Sequence, residues 1–254
     1  MERVARAADR VNRTAGSWTP TVHRLLAHLH ERGFVEAPEP IALGDELETV
    51  SFIPGRAGED PWTDDVASEA ALVTAARLLR NYHDAAATFV VDDSVSGAAP
   101  VARDDVWSQA DRAPVETVCH GDFAPYNCIF DGRAAVGLID FDTAHPGPRI
   151  WDVAAGVYRF APFTTAAHRI VDLDVRLARA AEFCRVYGLE PGSREQLVDV
   201  MVAGLVALVT TIETEAAVGD DRFVQQRNAR RADLYRADVA YIETHAASIR
   251  DATR

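Results

Sequence analysis

The residues of this chain best suited to chemistry form a short polar motif followed by two acids. Asp122 and Asn127 are five positions apart, and Asp140 follows at the end of an apolar run. An aspartate, an asparagine and a later aspartate in this order are the groups that a phosphoryl-transfer centre uses. We therefore predict Asp122 as the catalytic carboxylate, and Asn127 and Asp140 as oxygen ligands of Mg²⁺.

Two apolar runs beside the motif predict the element that positions these groups. Residues 128–130 and 135–139 are expected to form strands joined across an Asp-Gly-Arg turn, which is a β-hairpin signal. A turn centred between Arg133 and Ala134 would place Asn127 opposite Asp140, with Cα atoms about 5 Å apart. A bulge would shift this pairing by one residue and leave both side chains at the open end of the hairpin.

Several polar residues have alternative roles at this stage. Asp122 either accepts the proton of an acceptor hydroxyl or mainly orients it. Asp142 contacts a second metal ion or the substrate, or it is a solvated acid at a strand end. His120 braces the loop through hydrogen bonds or takes part in proton transfer. Asp152 is a candidate N-cap of the next helix. The simplest alternative for the whole motif is a capped turn before a strand.

Three segments carry a family resemblance: HGDFAPYN at 120–127, IDFD at 139–142 and GPRIWDVA at 147–154. They resemble the aminoglycoside phosphotransferase and choline kinase superfamily, and the likeness extends more loosely over most of the chain. The resemblance implies an α+β, two-lobed protein-kinase-like fold, with a reduced β-containing N-lobe at 1–53 and a mainly helical C-lobe at 54–254. It also implies ATP or GTP as donor, a small-molecule hydroxyl as acceptor, and a bond from Asp152 to the catalytic-loop backbone.

The donor-binding residues are expected before position 54. Pro54-Gly55 marks a hinge, where the backbone of Ser51, Phe52 and Ile53 is expected to bond the adenine edge, and Phe52 or Ile53 to pack on the ring. The chain has no lysine, since all 26 basic side chains are arginine, so the phosphate-binding lysine of the family has no counterpart. Arg13 is the predicted replacement, because guanidinium binds phosphate in a bidentate manner. The alternative is a plain surface arginine.

The N-terminal segment departs from the family pattern. No glycine-rich phosphate loop precedes Arg13. The first helix, expected from Thr19-Pro20 to Gly33, has Val22 where the family carries the glutamate that pairs with the phosphate-binding cation, and His23 lies beside it. We therefore expect this ion pair to be absent, either because the chain starts too late or because the nucleotide lobe is reduced. Weak or absent nucleotide affinity is the resulting alternative.

Composition limits the class of protein. The net charge of −13 over 254 residues argues against nucleic acid as a partner. The charged first residues are atypical of a signal peptide, and no apolar run approaches a membrane span. Cys119, Cys128 and Cys184 lack metal-ligand spacing, so reduced thiols and a cytoplasmic location are expected. Oligomeric state is not determined by the sequence.

The C-terminal half predicts helices at 65–87, 150–160, 165–187, 194–217 and 221–248, with a loop at 92–111. Four acids are candidates for binding the ammonium groups of an acceptor: Glu213, Glu215, Asp220 and Asp221. A solvated helix end is the alternative. The leading prediction is phosphorylation of an aminoglycoside-like or other amino-bearing alcohol, as in antibiotic resistance. A biosynthetic kinase for a sugar, amino alcohol or peptide hydroxyl, and a nucleotide-sensing or scaffold pseudokinase, are the alternatives.

Overall fold

The computed structural model describes residues 4–7, 9–95, 105–169 and 171–254, and its helices and small sheets confirm the α+β prediction. Contacts divide the chain into two compact units, Met1–Asp152 and Val153–Arg254. The lobe boundary expected after residue 53 is a different division of the chain, and it stays a prediction. All predicted donor and metal residues belong to the first unit, and the acidic cluster belongs to the second.

The first unit opens with a four-stranded antiparallel sheet. Its strands are β1 (Val4–Ala7), β2 (Arg10–Thr14), β3 (Pro40–Leu43) and β4 (Leu47–Ser51). Their spatial order is β1-β2-β4-β3, so β2 lies between β1 and β4. In the β2–β4 register Arg13 lies directly opposite Glu48.

Helix α1 (Thr19–Glu31) follows β2 and presents an apolar face at the spacing of a helical stripe. The buried side chains of this face are Val22, Leu25, Leu26 and Leu29. The predicted start is off by one position, since Trp18 occupies the cap position and Pro20 is the second helical residue. The Thr19 hydroxyl still ties the preceding loop, because it accepts a hydrogen bond from the Gly16 N–H at 2.8 Å.

The helix predicted at 65–87 is two helices, α2 (Asp64–Ala67) and α3 (Glu69–Val95). Ser68 separates them with extended backbone, and its hydroxyl accepts a hydrogen bond from the Ala71 N–H at 3.2 Å. The serine therefore caps α3 and ends α2. α3 also continues beyond residue 87, its expected end, into the predicted loop, of which residues 96–104 lie outside the described residues.

Two further antiparallel sheets hold the polar motif. One contains β5 (Arg56–Ala57), β7 (Cys128–Asp131) and β8 (Ala134–Leu138), and the other pairs β6 (Thr117–Cys119) with β9 (His145–Gly147). The motif connects β6 to β7 and ends in the 3₁₀ turn Pro125–Asn127. After β8, Asp140 precedes a second 3₁₀ turn, Phe141–Thr143, which contains Asp142 and is followed by β9.

The second unit is helical. It contains most of α4 (Arg149–Phe160), followed by α5 (Leu173–Tyr187), α6 (Pro191–Ala217), α7 (Asp221–Asn228), α8 (Arg231–Thr244) and α9 (Ala246–Ala252). The helix predicted at 221–248 is broken after α7, where Arg230 has left-handed backbone with φ 56°. α5 begins at Leu173 and not at 165, because 164–165 form a loop. The buried Asp238 of α8 holds this loop by accepting hydrogen bonds from the Thr164 and Thr165 hydroxyls at 2.9 and 2.7 Å.

Within the part of the chain that the structure describes, α6 alone is long and apolar enough to cross a bilayer by length and composition. The expectation that no segment approaches a membrane span is therefore wrong for α6. One such helix is weak evidence for a membrane, since core helices of soluble proteins meet the same criterion. The cytoplasmic location and the absence of a membrane partner stay predictions.

Candidate active site

Asp122 lies in the loop after β6, and both of its carboxylate oxygens are held by neighbours. The Tyr126 hydroxyl donates to Oδ1 at 2.6 Å, and Asn127 Nδ2 donates to Oδ2 at 3.1 Å. The same Nδ2 donates to the Asp122 backbone carbonyl at 2.9 Å. These bonds fix the direction of the carboxylate. Because a carboxylate oxygen accepts at two lone pairs, the arrangement is compatible with a further hydrogen bond from an acceptor hydroxyl.

Asn127 and Asp140 meet at the open end of the β7–β8 hairpin. A bulge between Ile129 and Phe130 shifts the pairing, and the Ile139 N–H donates to the Asn127 carbonyl at 2.9 Å. Asn127 therefore faces Ile139, so the predicted pairing with Asp140 is wrong by one residue. The cause is the turn: Asp131 pairs with Ala134, so the turn is centred between Gly132 and Arg133, one residue earlier than predicted, and the bulge offsets only part of the resulting shift. Both hydrogen bonds from the Asn127 side chain use Nδ2, so Oδ1 is the atom of this buried amide that can ligate a cation.

Asp140 has an unusual backbone for a residue with a side chain. Its φ of 65° and ψ of 66° lie in the left-handed region, where a non-glycine residue costs about 1–3 kcal/mol. Such strain is often kept where a side chain must point in one direction. The left-handed backbone of Asp140 follows β8 and precedes the 3₁₀ turn that contains Asp142. Half of the Asp140 side chain, 52%, remains exposed.

His120 is buried, and the backbone engages both of its ring nitrogens. Nε2 lies 2.9 Å from the Ile139 carbonyl, and the Asp122 N–H donates to Nδ1 at 3.3 Å. A carbonyl only accepts, so Nε2 carries the proton and the ring is neutral. This geometry corresponds to the bracing role proposed for His120 and leaves neither nitrogen for proton transfer. The ring also contacts Phe141, with centroids 4.9 Å apart.

A buried carboxylate fixes the backbone of the motif. Asp152 Oδ2 accepts the His120 N–H at 2.5 Å, and Oδ1 accepts the Gly121 N–H at 2.9 Å. His83 Nε2 donates to Oδ2 at 3.0 Å. Burial alone would raise the pKa of Asp152, but the His83 hydrogen bond and the nearby imidazoles keep that pKa below its ordinary value. Burial lowers the pKa of His83, so the pair is an aspartate with a neutral histidine.

The Arg13 guanidinium joins the acids after the hairpin. Its Nη1 lies 3.4 Å from Asp140 Oδ1 and its Nη2 lies 3.1 Å from Asp142 Oδ1. Its Nε lies 2.7 Å from Glu48 Oε1, as an ion pair that is poorly aligned for a hydrogen bond. Burial would lower the pKa of Arg13, but the three carboxylates raise it. The structure thus brings the predicted lysine replacement to the predicted metal ligands.

Glu48 and His23 are the site residues that sequence reasoning missed. Glu48 belongs to β4 and is 1% exposed, and His23 Nε2 of α1 lies 2.7 Å from its Oε2. The expected absence of an ion pair with a glutamate of the first helix holds, but Arg13 has a carboxylate partner that was not predicted. The partner of Arg13 comes from the adjacent strand and not from the helix at Val22, whose side chain packs in the core. The β2–β4 register would have revealed it, since Arg13 and Glu48 are cross-strand partners.

Two of the residues predicted to contact the adenine of the donor already have partners within the protein. The Ser51 N–H donates to the Glu39 carbonyl and the Phe52 N–H to the Asp9 carbonyl, at 2.9 and 2.8 Å. These two donors are therefore engaged within the protein in this conformation. The Arg6 guanidinium lies 3.6 Å from the centroid of the Phe52 ring and covers one of its faces. Donor contacts by Ser51, Phe52 and Ile53 stay a prediction.

The acidic cluster predicted for the acceptor lies in the second unit. Glu213 is ion-paired with Arg236 of α8. The Asp220 N–H donates to the Glu215 carbonyl at 3.1 Å, and Asp221 opens α7. Of these contacts, only the ion pair of Glu213 involves an acidic side chain. Its part in acceptor binding stays a prediction.

The donor set around Arg13 fits Mg²⁺. Glu48, Asp140 and Asp142 surround one guanidinium, so their negative charge exceeds the charge of Arg13. Burial raises the pKa of Asp142 despite Arg13, and a divalent cation would favour its ionised form. Over the described residues no cluster of three or more His, Cys, Asp or Glu has a metal-binding arrangement. Mg²⁺ needs few protein ligands beside phosphates and water, so two carboxylates and the Asn127 amide suffice.

Comparison with known proteins gives one family and a consistent fold. The sequence model described as the phosphotransferase enzyme family matches residues 19–96 and 91–187. A trifolitoxin immunity protein of Rhizobium leguminosarum bv. trifolii is 36% identical over 148 residues, which are 56% of this chain and 52% of that protein. The chain therefore spans about half the length of this curated relative.

Solved structures at low sequence identity share the fold. A choline/ethanolamine kinase family protein from Mesorhizobium loti is 15% identical with a TM-score of 0.61, over 99% of this chain and 88% of that one. An amicoumacin kinase solved with AMP-PNP and Ca²⁺ is 12% identical with a TM-score of 0.62, over 99% and 89%. A macrolide 2′-phosphotransferase from Brachybacterium faecium is 19% identical with a TM-score of 0.52, over 94% and 87%. These likenesses confirm the kinase-like fold.

Proposed function

The chain belongs to the phosphotransferase enzyme family, and we propose that it transfers the γ-phosphoryl group of ATP or GTP to a hydroxyl of a small molecule. The observation that carries the proposal is the approach of Arg13 to Asp140 and Asp142, at 3.4 and 3.1 Å. A cation for phosphates beside oxygen ligands for Mg²⁺ is the arrangement that phosphoryl transfer needs.

Each residue has a defined role in this reaction. Asp122 orients the acceptor hydroxyl and takes its proton as the oxygen forms a bond to the γ-phosphorus. The bond from that phosphorus to the β-phosphate oxygen breaks, and the nucleoside diphosphate leaves. Asn127 and Asp140, with Asp142, would hold Mg²⁺, which supplies positive charge at the phosphate oxygens. Arg13, which belongs to β2 of the N-terminal sheet, neutralises negative charge on the same phosphates.

The acceptor proposed first is an amino-bearing alcohol of the aminoglycoside kind. The net charge of −13 and the acids Glu213, Glu215, Asp220 and Asp221 support a cationic acceptor. The similarity to a trifolitoxin immunity protein supports a toxin or antibiotic as the acceptor and a role in resistance. A peptide, sugar or amino-alcohol hydroxyl in a biosynthetic reaction is the second candidate.

A phosphorylation assay with labelled ATP or GTP and a panel of hydroxyl acceptors tests the proposal. Aminoglycosides, macrolides, amino alcohols and hydroxyl-bearing peptides form the panel, with and without Mg²⁺. We expect Asp122→Asn and Asp140→Asn to lower the rate at least about 100-fold, because each removes a group of the reacting centre. Glu116→Gln, at an exposed acid next to β6, is the matched control and should leave the rate within about twofold.

Unchanged transfer in Asp122→Asn and Asp140→Asn would contradict the assignment of the chemistry. Magnesium-dependent nucleotide binding without transfer to any acceptor would favour the nucleotide-sensing or scaffold pseudokinase. Donor preference follows from the same assay, because ATP and GTP are compared at equal concentration.

A further inference from the structure

We infer that Glu48 and His23 are positioning residues that hold the Arg13 guanidinium with its Nη ends directed at the donor phosphates. This inference rests on the proposed function for the identity of the ligand, which is a nucleoside triphosphate. It goes beyond that function because neither residue contacts the nucleotide or the acceptor in it.

The first observation is the burial of a carboxylate in a strand. The side chains of β4 alternate in exposure, and Glu48 and Val50 share its buried face. A charged carboxylate in an apolar position is costly unless it is paired. Glu48 is 1% exposed and has one cationic or polar partner at each oxygen: Arg13 at Oε1 and His23 at Oε2, both at 2.7 Å. The position is therefore built around this carboxylate and its two partners.

The second observation is that the nitrogens of the Arg13 guanidinium contact different carboxylates. Its Nε faces Glu48, while Nη1 faces Asp140 and Nη2 faces Asp142. Guanidinium is planar, so fixing Nε against a buried carboxylate fixes the plane in which both Nη groups lie. The two Nη groups point to the acids that would carry the metal, which is where donor phosphates must lie to share that metal.

The third observation is the origin of each partner in the fold. Arg13 and Glu48 are directly opposed in the β2–β4 register, so their pairing is set by the sheet. His23 comes from the first turns of α1, where its neighbour Val22 is 1% exposed and anchors the helix in the core. The cluster therefore links one helix and two strands to the orientation of a single guanidinium. His23 contributes by engaging the oxygen of Glu48 that Arg13 does not use.

This arrangement predicts that lysine cannot replace Arg13. A lysine ammonium is one compact charge, and it cannot reach Glu48 through one nitrogen while binding phosphates through two others. Arg13→Lys should therefore lose nucleotide affinity nearly as far as Arg13→Ala, even though the charge is kept.

Calorimetric titration with ATP and with adenosine, both in the presence of Mg²⁺, tests the inference. Glu48→Gln should weaken ATP binding about tenfold and leave adenosine binding unchanged, because only the phosphates meet Arg13. Glu39→Gln, at an exposed acid next to β3, is the matched control and should change neither. His23→Leu should weaken ATP binding in the same selective manner, and His23→Gln, which keeps a donor for Glu48, should restore much of it.

A double-mutant comparison separates positioning from simple structural support. In the Arg13→Ala background, Glu48→Gln should cause no further loss of ATP affinity, since the group it positions is gone. Additive losses, equal losses for ATP and adenosine, or unchanged ATP affinity in Glu48→Gln would overturn the inference. Failure of the wild-type protein to bind ATP would overturn it as well. Selective ATP binding without transfer to any acceptor would sink the proposed function and leave this inference standing.

Discussion

Asp152 and His83 form a fully buried pair, 3.0 Å apart and 69 residues apart in sequence. The same carboxylate accepts the backbone N–H groups of His120 and Gly121, so it joins α3 to the loop that carries Asp122. The loop that carries Asp122 is thus held by a carboxylate buried inside the protein.

Replacing this carboxylate should destabilise the fold. Asp152→Asn keeps the shape but turns an amide nitrogen toward donors, and hydrogen bonds to a charged acceptor contribute about 1.5–3 kcal/mol each. We expect the free energy of unfolding to fall by about 3 kcal/mol, measured by urea denaturation. Asp84→Asn, at a half-exposed acid paired with Arg80, is the control and should cost less than about 1 kcal/mol. Equal losses in the two variants would contradict the structural role of Asp152.

Stability should decline as the pH falls from 7 to 5. Burial lowers the pKa of His83 and that of His145, so the unfolded chain binds protons near pH 6.5 that the folded chain does not. The two histidines stabilise the fold fully at a pH above the pKa that they have in the unfolded chain. This stabilisation is lost as the pH falls from there through their lower pKa in the folded chain. The pKa of Asp152 is lowered from an already acidic value, so that carboxylate adds little to the change in this window.

Urea denaturation at pH 5, 6, 7 and 8 checks this dependence. His83→Gln retains a donor for Asp152 but has no titrating ring, so its stability should change less with pH than that of the wild type. If the free energy of unfolding of His83→Gln changed between pH 7 and pH 5 as steeply as that of the wild type, His83 would be excluded as a source of the pH dependence.

Removing the Tyr82 hydroxyl should not destabilise the protein. Tyr82 is fully buried, its ring centroid lies 5.6 Å from that of Phe141, and no described residue provides a hydrogen-bond partner for its hydroxyl. An unsatisfied buried polar group costs about 1–3 kcal/mol, and Tyr82→Phe keeps the ring. We expect Tm to rise by about 2–4 °C, measured by thermal unfolding. A clear fall in Tm would mean that the hydroxyl has a partner in solution, such as an ordered water.

Gly121 should tolerate no side chain. Its φ is +82°, and a Cβ atom there would lie 2.2 Å from the Thr143 carbonyl oxygen. Gly121→Ala must therefore displace the catalytic loop, and we expect a loss of about 3 kcal/mol of stability together with most of the transfer activity. Gly132→Ala is a matched control, because its φ of +55° is also positive, but apart from its chain neighbours no atom of the described residues would lie within 4 Å of the added Cβ. That variant should cost only about 1 kcal/mol and remain active, by denaturation and transfer assay.

Much of the local structure around Asp122 and Asp140 could be predicted because its signals are local. The motif from His120 to Asn127 and the hairpin with Asp140 rely on residues close in sequence, where turn chemistry and alternation specify structure. The one-residue error in the Asn127 pairing came from the turn, which is centred between Gly132 and Arg133 and not between Arg133 and Ala134; the bulge, which no apolar pattern in β7 or β8 reveals, offsets part of that shift. The division of the 65–87 helix came from Ser68, whose capping hydroxyl competes with the helical backbone.

The sequence by itself determined the family and the mixed α+β fold, because both depend on short segments with characteristic spacing. Only the tertiary structure decided which side chains meet. Glu48 pairs with Arg13 through a sheet register, and His83 reaches Asp152 across 69 residues of chain. The reason is physical: a buried charge is stable only beside its partner, and the partner is selected by packing in three dimensions rather than by distance along the chain.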